Sequence, residues 1–569
     1  MKKVILLLIC VLLIVFSCDN IKKYPSSAYS ESDSLLNKID GIFKDWKYPD
    51  SPGGSVAIVK GNKVLFIKGY GCADIEMSVP VTPQTRFYLA SISKQFTGYC
   101  IAKLIYEHKL SLDDDIKKYL PELASINAPL KIRDLVYQKS GLRDIYGLIP
   151  LKRTHLNDYF SNNDALYILC HQRELNFSPG DKWEYSNTNY FLLGEIVKRI
   201  TGESLKHWTE KTVFMPLKMN NTFFVDSIET IVPNKAKSYY QNNNGAFFND
   251  PFLDVMVGHT GLYSTAEDMA KWLIHLSDMY KKGDPVFELM LQPDTLNSGE
   301  KLTNYSFGLF KSYGNATNYW HRGSLFGYKS IISYYPDRDF GLVILGNVQR
   351  FNRIRYAREI TQIFYPEINN VTSESQPVFS IADSLKTKSF VLDPDLLKKY
   401  TGNYVVNPML IYVISRHNDS LFLNEYGESE LTYLINTGKN IFRDENGSIL
   451  ISFYETGKGR IDSLMYQSAS DNVTGIKAEQ LSSKQELVYT GNYYNDELDI
   501  TINIEKSPTG LIAQNWNLGL IELIHTFTDE FRCNHDFFSY ISFYRDGNNN
   551  IKGFLMDGFS VSNIRFVKK

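Results

Sequence analysis

Phe87-Tyr-Leu-Ala-Ser91-Ile-Ser-Lys94-Gln-Phe-Thr97 sets a serine one helical turn ahead of a lysine, at the start of an amphipathic run. Phe96, Cys100, Ile101, Leu104 and Ile105 recur at helical spacing and face a core. In a helix, Ser91 and Lys94 lie on one face. Ser91 stands at the helix N-terminus, where free N–H groups and the helix dipole favour developing negative charge. A neutral lysine amine beside a serine hydroxyl is a nucleophile with its own base. About two or three Ser-x-x-Lys matches arise by chance in a chain this long, so the stretch acquires meaning only from its partners.

On its N-terminal side, Gly54-Ser-Val-Ala-Ile-Val-Lys60 and Lys63-Val-Leu-Phe-Ile-Lys-Gly69 are β-rich runs joined by Gly61-Asn62. They read as a hairpin, followed by a helix over 92–109. On its C-terminal side, Pro179-Gly180 turns the chain into Trp183-Glu-Tyr185-Ser186-Asn187, and helical spacing runs from Tyr190 to Ile200, ending near Gly202. Thr265 reads as the N-cap of a helix over Ala266 to Tyr280, with Asp268 at the third helical position. Tyr319-Trp-His321-Arg322-Gly323-Ser324 precedes a strand over Lys329 to Tyr335. A further strand spans Gly341 to Leu345, and a helix over about 350–364 closes the region. Strands at both ends with helices between them predict an α+β domain whose terminal segments share one antiparallel sheet.

Residues 366–390 are polar, with a Ser-rich centre, and read as a linker. Beyond them short alternating strands appear and no long helix does. Tyr400-Thr-Gly-Asn-Tyr404 recurs as Tyr489-Thr-Gly-Asn-Tyr493, and Ile451-Ser-Phe-Tyr454 as Ile541-Ser-Phe-Tyr544. Two anchors at one period predict two copies of a β module, small antiparallel barrels without chemistry of their own, which pack or restrict substrate.

Three motifs stand in order along the first domain: Ser91-x-x-Lys94, Tyr185-Ser-Asn187 and His321-Arg-Gly323. Their flanks include Pro52-Gly-Gly-Ser-Val-Ala57, Thr82-Pro-Gln-Thr-Arg-Phe87, Phe177-Ser-Pro-Gly-Asp-Lys-Trp183, Pro216-Leu-Lys-Met219 and Gly323-Ser-Leu-Phe-Gly-Tyr328. Over about residues 45–350 this resembles the serine β-lactamase and penicillin-binding-protein superfamily, in the branch of class C β-lactamases, D-aminopeptidases and related esterases. The resemblance implies a β-lactamase/transpeptidase-like α+β fold and an acyl-enzyme on Ser91, with Lys94 as its base. It implies that Tyr185 passes the proton to the leaving group, and that Asn187 orients the pair and binds the substrate amide. His321 and Gly323 would line the substrate site, and the backbone N–H groups of Ser91 and Ser324 would form the oxyanion hole. No cofactor is implied.

The third motif departs from the Lys-Thr-Gly usual in β-lactamases. Histidine is only partly charged near neutral pH, so a constant positive charge beside the nucleophile, useful for a substrate carboxylate, is lost. Arg322 points to the opposite face of its strand. Efficient penicillin hydrolysis is therefore not expected, and His-x-Gly is the form of the D-aminopeptidase-like branch. Tyr137-Gln-Lys-Ser-Gly141 also differs from the His-Thr-Ser-Gly run of relatives and carries little functional weight in this reading.

Lys2-Lys3, the apolar run Val4 to Phe16 and then Ser17-Cys18 have the form of a bacterial signal peptide with a lipobox-like end. Cleavage before Cys18 and lipidation of its thiol are expected, which makes the protein an exported lipoprotein facing the periplasm or the cell surface. The expected organisation is a signal peptide over 1–17, a lipid-anchored tether over 18–33, the hydrolase domain over 34–365, the linker, and β domains over 391–478 and 479–569. Among 569 residues, 14% are aromatic and the net charge is −2, so no electrostatic nucleic-acid binder is indicated. The cysteines lack metal-ligand spacing and the ten histidines form no His-x-x-x-His pair, so no metal is expected. The expected substrate is a small peptide, amide or ester, D-amino-acid-containing peptides among them. An esterase is the near alternative. A catalytically idle sensor of β-lactams or peptidoglycan fragments, and an adhesion unit built on the β modules, are the more distant ones.

Overall fold

Gly54–Lys60 (β1) and Lys63–Tyr70 (β2) form the expected hairpin, turned at Gly61 with φ +62°. All but the last residue of β1 are buried. The structure is a computed structural model that describes residues 33–152, 159–242, 244–251, 254–368, 394–407 and 410–569, less 427, 429, 457–459, 469–470, 479–480, 509 and 516. The signal peptide, Cys18 with the tether to residue 32, and linker residues 369–390 lie outside the described residues. The chain divides into two units, residues 1–45 and 46–569. The described part of the first holds one helix, α1 (Asp33–Ile42).

In the second unit, β1 and β2 complete a seven-stranded antiparallel sheet with β3 (Tyr305–Ser306), β4 (Leu309–Ser312), β5 (Asn318–Leu325), β6 (Tyr328–Tyr335) and β7 (Phe340–Gly346), in the order β3-β4-β5-β6-β7-β1-β2. β1 pairs with β7 from Gly54 opposite Gly346 to Lys60 opposite Phe340. The two ends of the domain thus share one sheet, as expected. Phe-Gly-Leu-Val-Ile-Leu-Gly of β7 is buried throughout, the continuous apolar run of a strand covered on both faces. Between β2 and β3 lie α2 (Ser93–Tyr106), α3 (Ile132–Val136), α4 (Ile145–Lys152), α5 (Asn162–Cys170), α6 (Asn187–Thr201) and α7 (Ala266–Lys282). α8 (Arg353–Phe364) follows β7. α7 packs on β1 and β7, α8 on β6 and β7, and α6 on α2 and α3.

The Thr265 hydroxyl caps α7 by accepting from Asp268 N at 3.1 Å, as its position predicts. α6 starts at Asn187, three residues before the apolar spacing suggests. Its first N–H finds an acceptor far off in sequence: Asn187 N donates to Asp144 Oδ2 at 2.7 Å. A carboxylate there suits a helix N-terminus, and helical periodicity cannot reveal it.

The repeat folds into two closed eight-stranded antiparallel barrels, Gly402 to Lys477 and Gly491 to Lys568. The duplicated Tyr-Thr-Gly-Asn-Tyr does the same work in each. Tyr404 donates to Tyr400 O at 2.7 Å and Tyr493 to Tyr489 O at 2.6 Å. Tyr400 packs on Phe453 and Tyr489 on Phe543, at 4.8 and 4.9 Å between ring centroids. The second barrel docks on the α+β domain through the turn between its last two strands. A Cβ on Gly147 would lie 2.2 Å from Phe559 O, so only glycine admits this approach.

Candidate active site

Ser91 lies in a 3₁₀ turn, Ala90–Ile92, just before α2. Ala90 has φ +48°, a left-handed backbone that costs a non-glycine residue about 1–3 kcal/mol. Its neighbours hold it there: Leu89 N donates to Leu262 O at 2.9 Å, Ser330 Oγ to Leu89 O at 2.8 Å and Ser93 Oγ to Ala90 O at 2.6 Å. Gly323 lets β5 run against this turn, since a Cβ there would lie 2.0 Å from Leu89 O and 2.3 Å from Ser330 Oγ. The glycine of the third motif is thus a requirement of close approach.

Lys94 is fully buried. Its Nζ lies 3.1 Å from Ser91 Oγ, 2.8 Å from Asn187 Oδ1 and 2.9 Å from His259 O. It also sits 4.9 Å from the centre of the Tyr185 ring. Burial pulls its pKa down to about 7, against an opposing pull from Asp144. A large part of the lysine is therefore neutral near pH 7 and able to take the serine proton. Burial drives the Tyr185 phenol well above its ordinary value, while a hydrogen bond with Ser91 acts in the lowering direction. Tyr185 is thus a proton-carrying phenol throughout the neutral range.

Asn187 faces both ways. Its Oδ1 accepts from Lys94, and its Nδ2 donates to Asp144 Oδ2 at 2.9 Å. The Tyr137–Gly141 run, given little weight from sequence, lies against the segment that carries Tyr185 and Asn187. Gln138 Oε1 accepts from Ser186 N at 3.0 Å and also from Asn189 Nδ2, and Gln138 O accepts from Glu184 N at 2.9 Å. Ser140 donates to Asn189 Oδ1 at 2.6 Å. This run thus packs under the second motif and holds its backbone.

On β5, His321 is buried and Arg322 exposed, the alternation expected of a strand. His321 Nδ1 donates to Arg322 O at 2.8 Å, which leaves Nε2 as the bare acceptor. Burial first, and Lys94 second, lower the imidazole pKa to about 3. The sequence reading has this histidine partly charged near neutrality. In its buried place it is neutral there, and the fixed charge of a Lys-Thr-Gly motif is wholly absent.

Ser91, Asn187 and Ser324 open onto a cleft of about 500 Å³. Apolar side chains dominate its walls, among them Ile149, Phe160 and Met256 from the α+β domain and Phe537 and Phe559 from the second barrel. Two carboxylates, Asp254 and Asp536, also line it, while among the described residues no lysine or arginine does. Asp254 accepts from the Tyr146 hydroxyl and from Met256 N.

A family profile described as beta-lactamase matches residues 44–363, more than half of the chain. The chain belongs to the beta-lactamase family. Among curated proteins, this beta-lactamase family member is 28% identical over 299 residues to a D-aminopeptidase from Gluconobacter oxydans (strain 621H), an alignment covering 52% of this chain and 56% of that protein. It is 28% identical over 388 residues to Protein flp of Staphylococcus aureus (strain N315), covering 64% of this chain and 74% of that one. Among solved structures it resembles the octameric penicillin-binding protein homologue from Pyrococcus abyssi. That match has a TM-score of 0.51 at 22% identity and covers 78% of this chain and 99% of the other, a likeness of fold.

The structure brings Ser91, Lys94, Tyr185 and Asn187 together, with His321, Gly323 and Ser324 on the strand alongside. Cys18 lies outside the described residues. Sequence reasoning passes over Asp144, the His259 carbonyl that holds Lys94, and the cleft residues Asp254, Asp536, Phe537 and Phe559. Only Asp144 leaves a trace in sequence, as the acidic residue following Ser140-Gly-Leu-Arg143.

Proposed function

We propose that the chain is a cell-envelope serine hydrolase that forms an acyl-enzyme on Ser91 and hydrolyses small peptides, amides or esters, with D-amino-acid peptides bearing a free amino group as the favoured class. The observation that carries this reading is the 3.1 Å approach of Lys94 Nζ to Ser91 Oγ, with the lysine pKa at about 7. Neutral Lys94 takes the hydroxyl proton as Ser91 Oγ bonds to the substrate carbonyl carbon. The backbone N–H groups of Ser91 and Ser324 receive the negative oxygen. Tyr185 passes a proton to the departing amine or alcohol as its bond to the carbonyl carbon breaks. Water then attacks the acyl-enzyme, gives up a proton along the same path, and returns the proton to Ser91.

The cleft supports the choice of substrate. Its walls are mostly apolar, the acidic and basic side chains that line it among the described residues are the carboxylates Asp254 and Asp536, and His321 is neutral. That field favours a substrate ammonium and disfavours a substrate carboxylate, which argues for an aminopeptidase or amidase over a penicillinase. The D-aminopeptidase relative points the same way. Export and a lipid anchor at Cys18 belong to the same proposal and rest on the Val4 to Cys18 pattern alone.

The test is a panel of D- and L-amino-acid amides, alkyl esters and β-lactams, run on the mature protein and on Ser91→Ala, together with a fluorescent fluorophosphonate that labels active serines. D-amino-acid amides should lead the panel. Preferred turnover of simple esters would favour the esterase, and absent labelling of the wild type would overturn the enzyme reading.

A further inference from the structure

Asp144 is a buried carboxylate beside the site that the acyl-transfer scheme leaves without a task; burial raises its pKa, against the hydrogen bonds it accepts from Asn187 and Tyr146 and the charge of Lys94. It is 1% exposed. Its Oδ2 accepts from Asn187 N at 2.7 Å and Asn187 Nδ2 at 2.9 Å, and its Oδ1 accepts from Tyr146 N at 2.8 Å. Three donors converge on one carboxylate, and the Asn187 amide so oriented turns its oxygen to Lys94 Nζ. The line of contacts runs from Asp144 through Asn187 to Lys94 and ends at Ser91 Oγ.

The other side of Asp144 belongs to the second barrel. Asp144 N donates to Ser560 O at 3.0 Å. The neighbouring Arg143 guanidinium is buried and gives three hydrogen bonds to that barrel: to Ser562 O at 3.1 Å, Asn563 O at 2.9 Å and Glu497 Oε2 at 2.5 Å. It donates a fourth to Gln172 Oε1 at 2.8 Å. Asn176 of the hydrolase domain accepts from Ser562 N at 2.8 Å. The turn at 559–560 and the start of the last strand, which supply these carbonyls, have left-handed residues at Ser560 and Asn563, with φ +49° and +58°. A special backbone of this kind persists where its surroundings over-determine it.

We propose that Asp144 is a positioning residue for the Ser91–Lys94 pair, acting through Asn187, and that residues 559–563 of the second barrel, its last turn and the start of its last strand, hold it in place. The proposal rests on the serine-hydrolase reading. On it, the barrel is part of the apparatus that aims the base. Asp144 also acts on Lys94 by charge. The other titratable groups facing the lysine are Tyr185, His259 and His321, with Arg322 further along β5. Burial keeps both imidazoles neutral, since their pKa values are lowered, and the phenol is raised. Asp144 is the carboxylate that bears on the lysine.

The experiment is the rate of Ser91 labelling by a fluorophosphonate over about pH 5 to 9, on the full-length protein and on Asp144→Asn, Glu497→Gln and Ser91→Ala. Asp144→Asn keeps the shape, removes the charge and sets an amide nitrogen against N–H donors. Its plateau rate should fall by at least about tenfold through misplacement of the pair. Its acidic limb should move to lower pH, because a lysine without its carboxylate loses its proton more easily. Glu497→Gln loosens the grip on Arg143 and should slow labelling with the fold intact. Wild-type labelling of Asp144→Asn, or a lower plateau with an unmoved limb, overturns the proposal. So does an unchanged rate in Glu497→Gln, which also carries the test alone should Asp144→Asn not fold. Absent labelling of the wild type, or undiminished labelling of Ser91→Ala, instead overturns the serine-hydrolase reading beneath it.

Discussion

Lys94 Nζ lies 3.1 Å from Ser91 Oγ with no exposure to solvent, and the cost of burying its charge brings its pKa to about 7. On the proposed mechanism the base is the neutral amine of Lys94, so kcat/KM should rise with pH through about 7 and level off above it. The same shift links to stability. Between about 7 and the ordinary value of 10.5 the unfolded chain binds a proton at this site and the folded chain does not. Unfolding free energy should therefore gain from Lys94 as pH rises through that window, and lose as pH falls. Denaturant titrations of the wild type and of Lys94→Met check this, the variant lacking the contribution. A kcat/KM flat across neutrality would show that another group is the base.

Gly323→Ala should disable catalysis well before it unfolds the protein. Its Cβ would meet Leu89 O at 2.0 Å, so β5 or the Ser91 turn must move. A displacement near 1 Å at a reacting centre costs about 100-fold in rate. Single-turnover acylation beside a thermal melt measures the two effects. Wild-type acylation would mean that the strand yields without disturbing Ser91.

Asp536→Asn should separate substrates by charge. This exposed carboxylate sits on the cleft wall contributed by the second barrel. Its attraction for a substrate ammonium is worth about 1 kcal/mol in a wet site, or about fivefold in KM. KM for D-amino-acid amides should rise by that factor, while N-acetylated amides and neutral esters stay as they are. Equal effects on both kinds would assign Asp536 to the shape of the cleft.

The duplicated tyrosines should prove equivalent in stability and unequal in function. Tyr404→Phe and Tyr493→Phe each delete one buried hydrogen bond to a carbonyl, worth about 1 kcal/mol. Urea unfolding should show similar losses. Among the described residues the second barrel lines the cleft and the first does not, so only Tyr493→Phe should lower kcat/KM near the unfolding midpoint.

Ser91-x-x-Lys94, Tyr185-x-Asn187 and His321-x-Gly323 are legible in the sequence because each is a short pattern with its own spacing, and their order along the chain names the fold. The hairpin at Gly61, the Thr265 cap and the two-fold β repeat are likewise local signals of turn chemistry, capping and periodicity. Apolar spacing does not reveal the start of α6 at Asn187, because the acceptor that allows it, Asp144, stands 43 residues earlier.

By itself, then, the sequence determined the α+β class, the paired barrels and the candidate nucleophile with its base, all of which follow from contacts between near neighbours or from repetition. Only the tertiary structure decided how charged these groups are and what surrounds them. Burial makes Lys94 a base near neutrality and leaves His321 uncharged. The folded chain also brings Arg143 and Asp144 to a turn more than 400 residues away. Desolvation and long-range contact depend on what the folded chain packs around a group, and no local pattern encodes that.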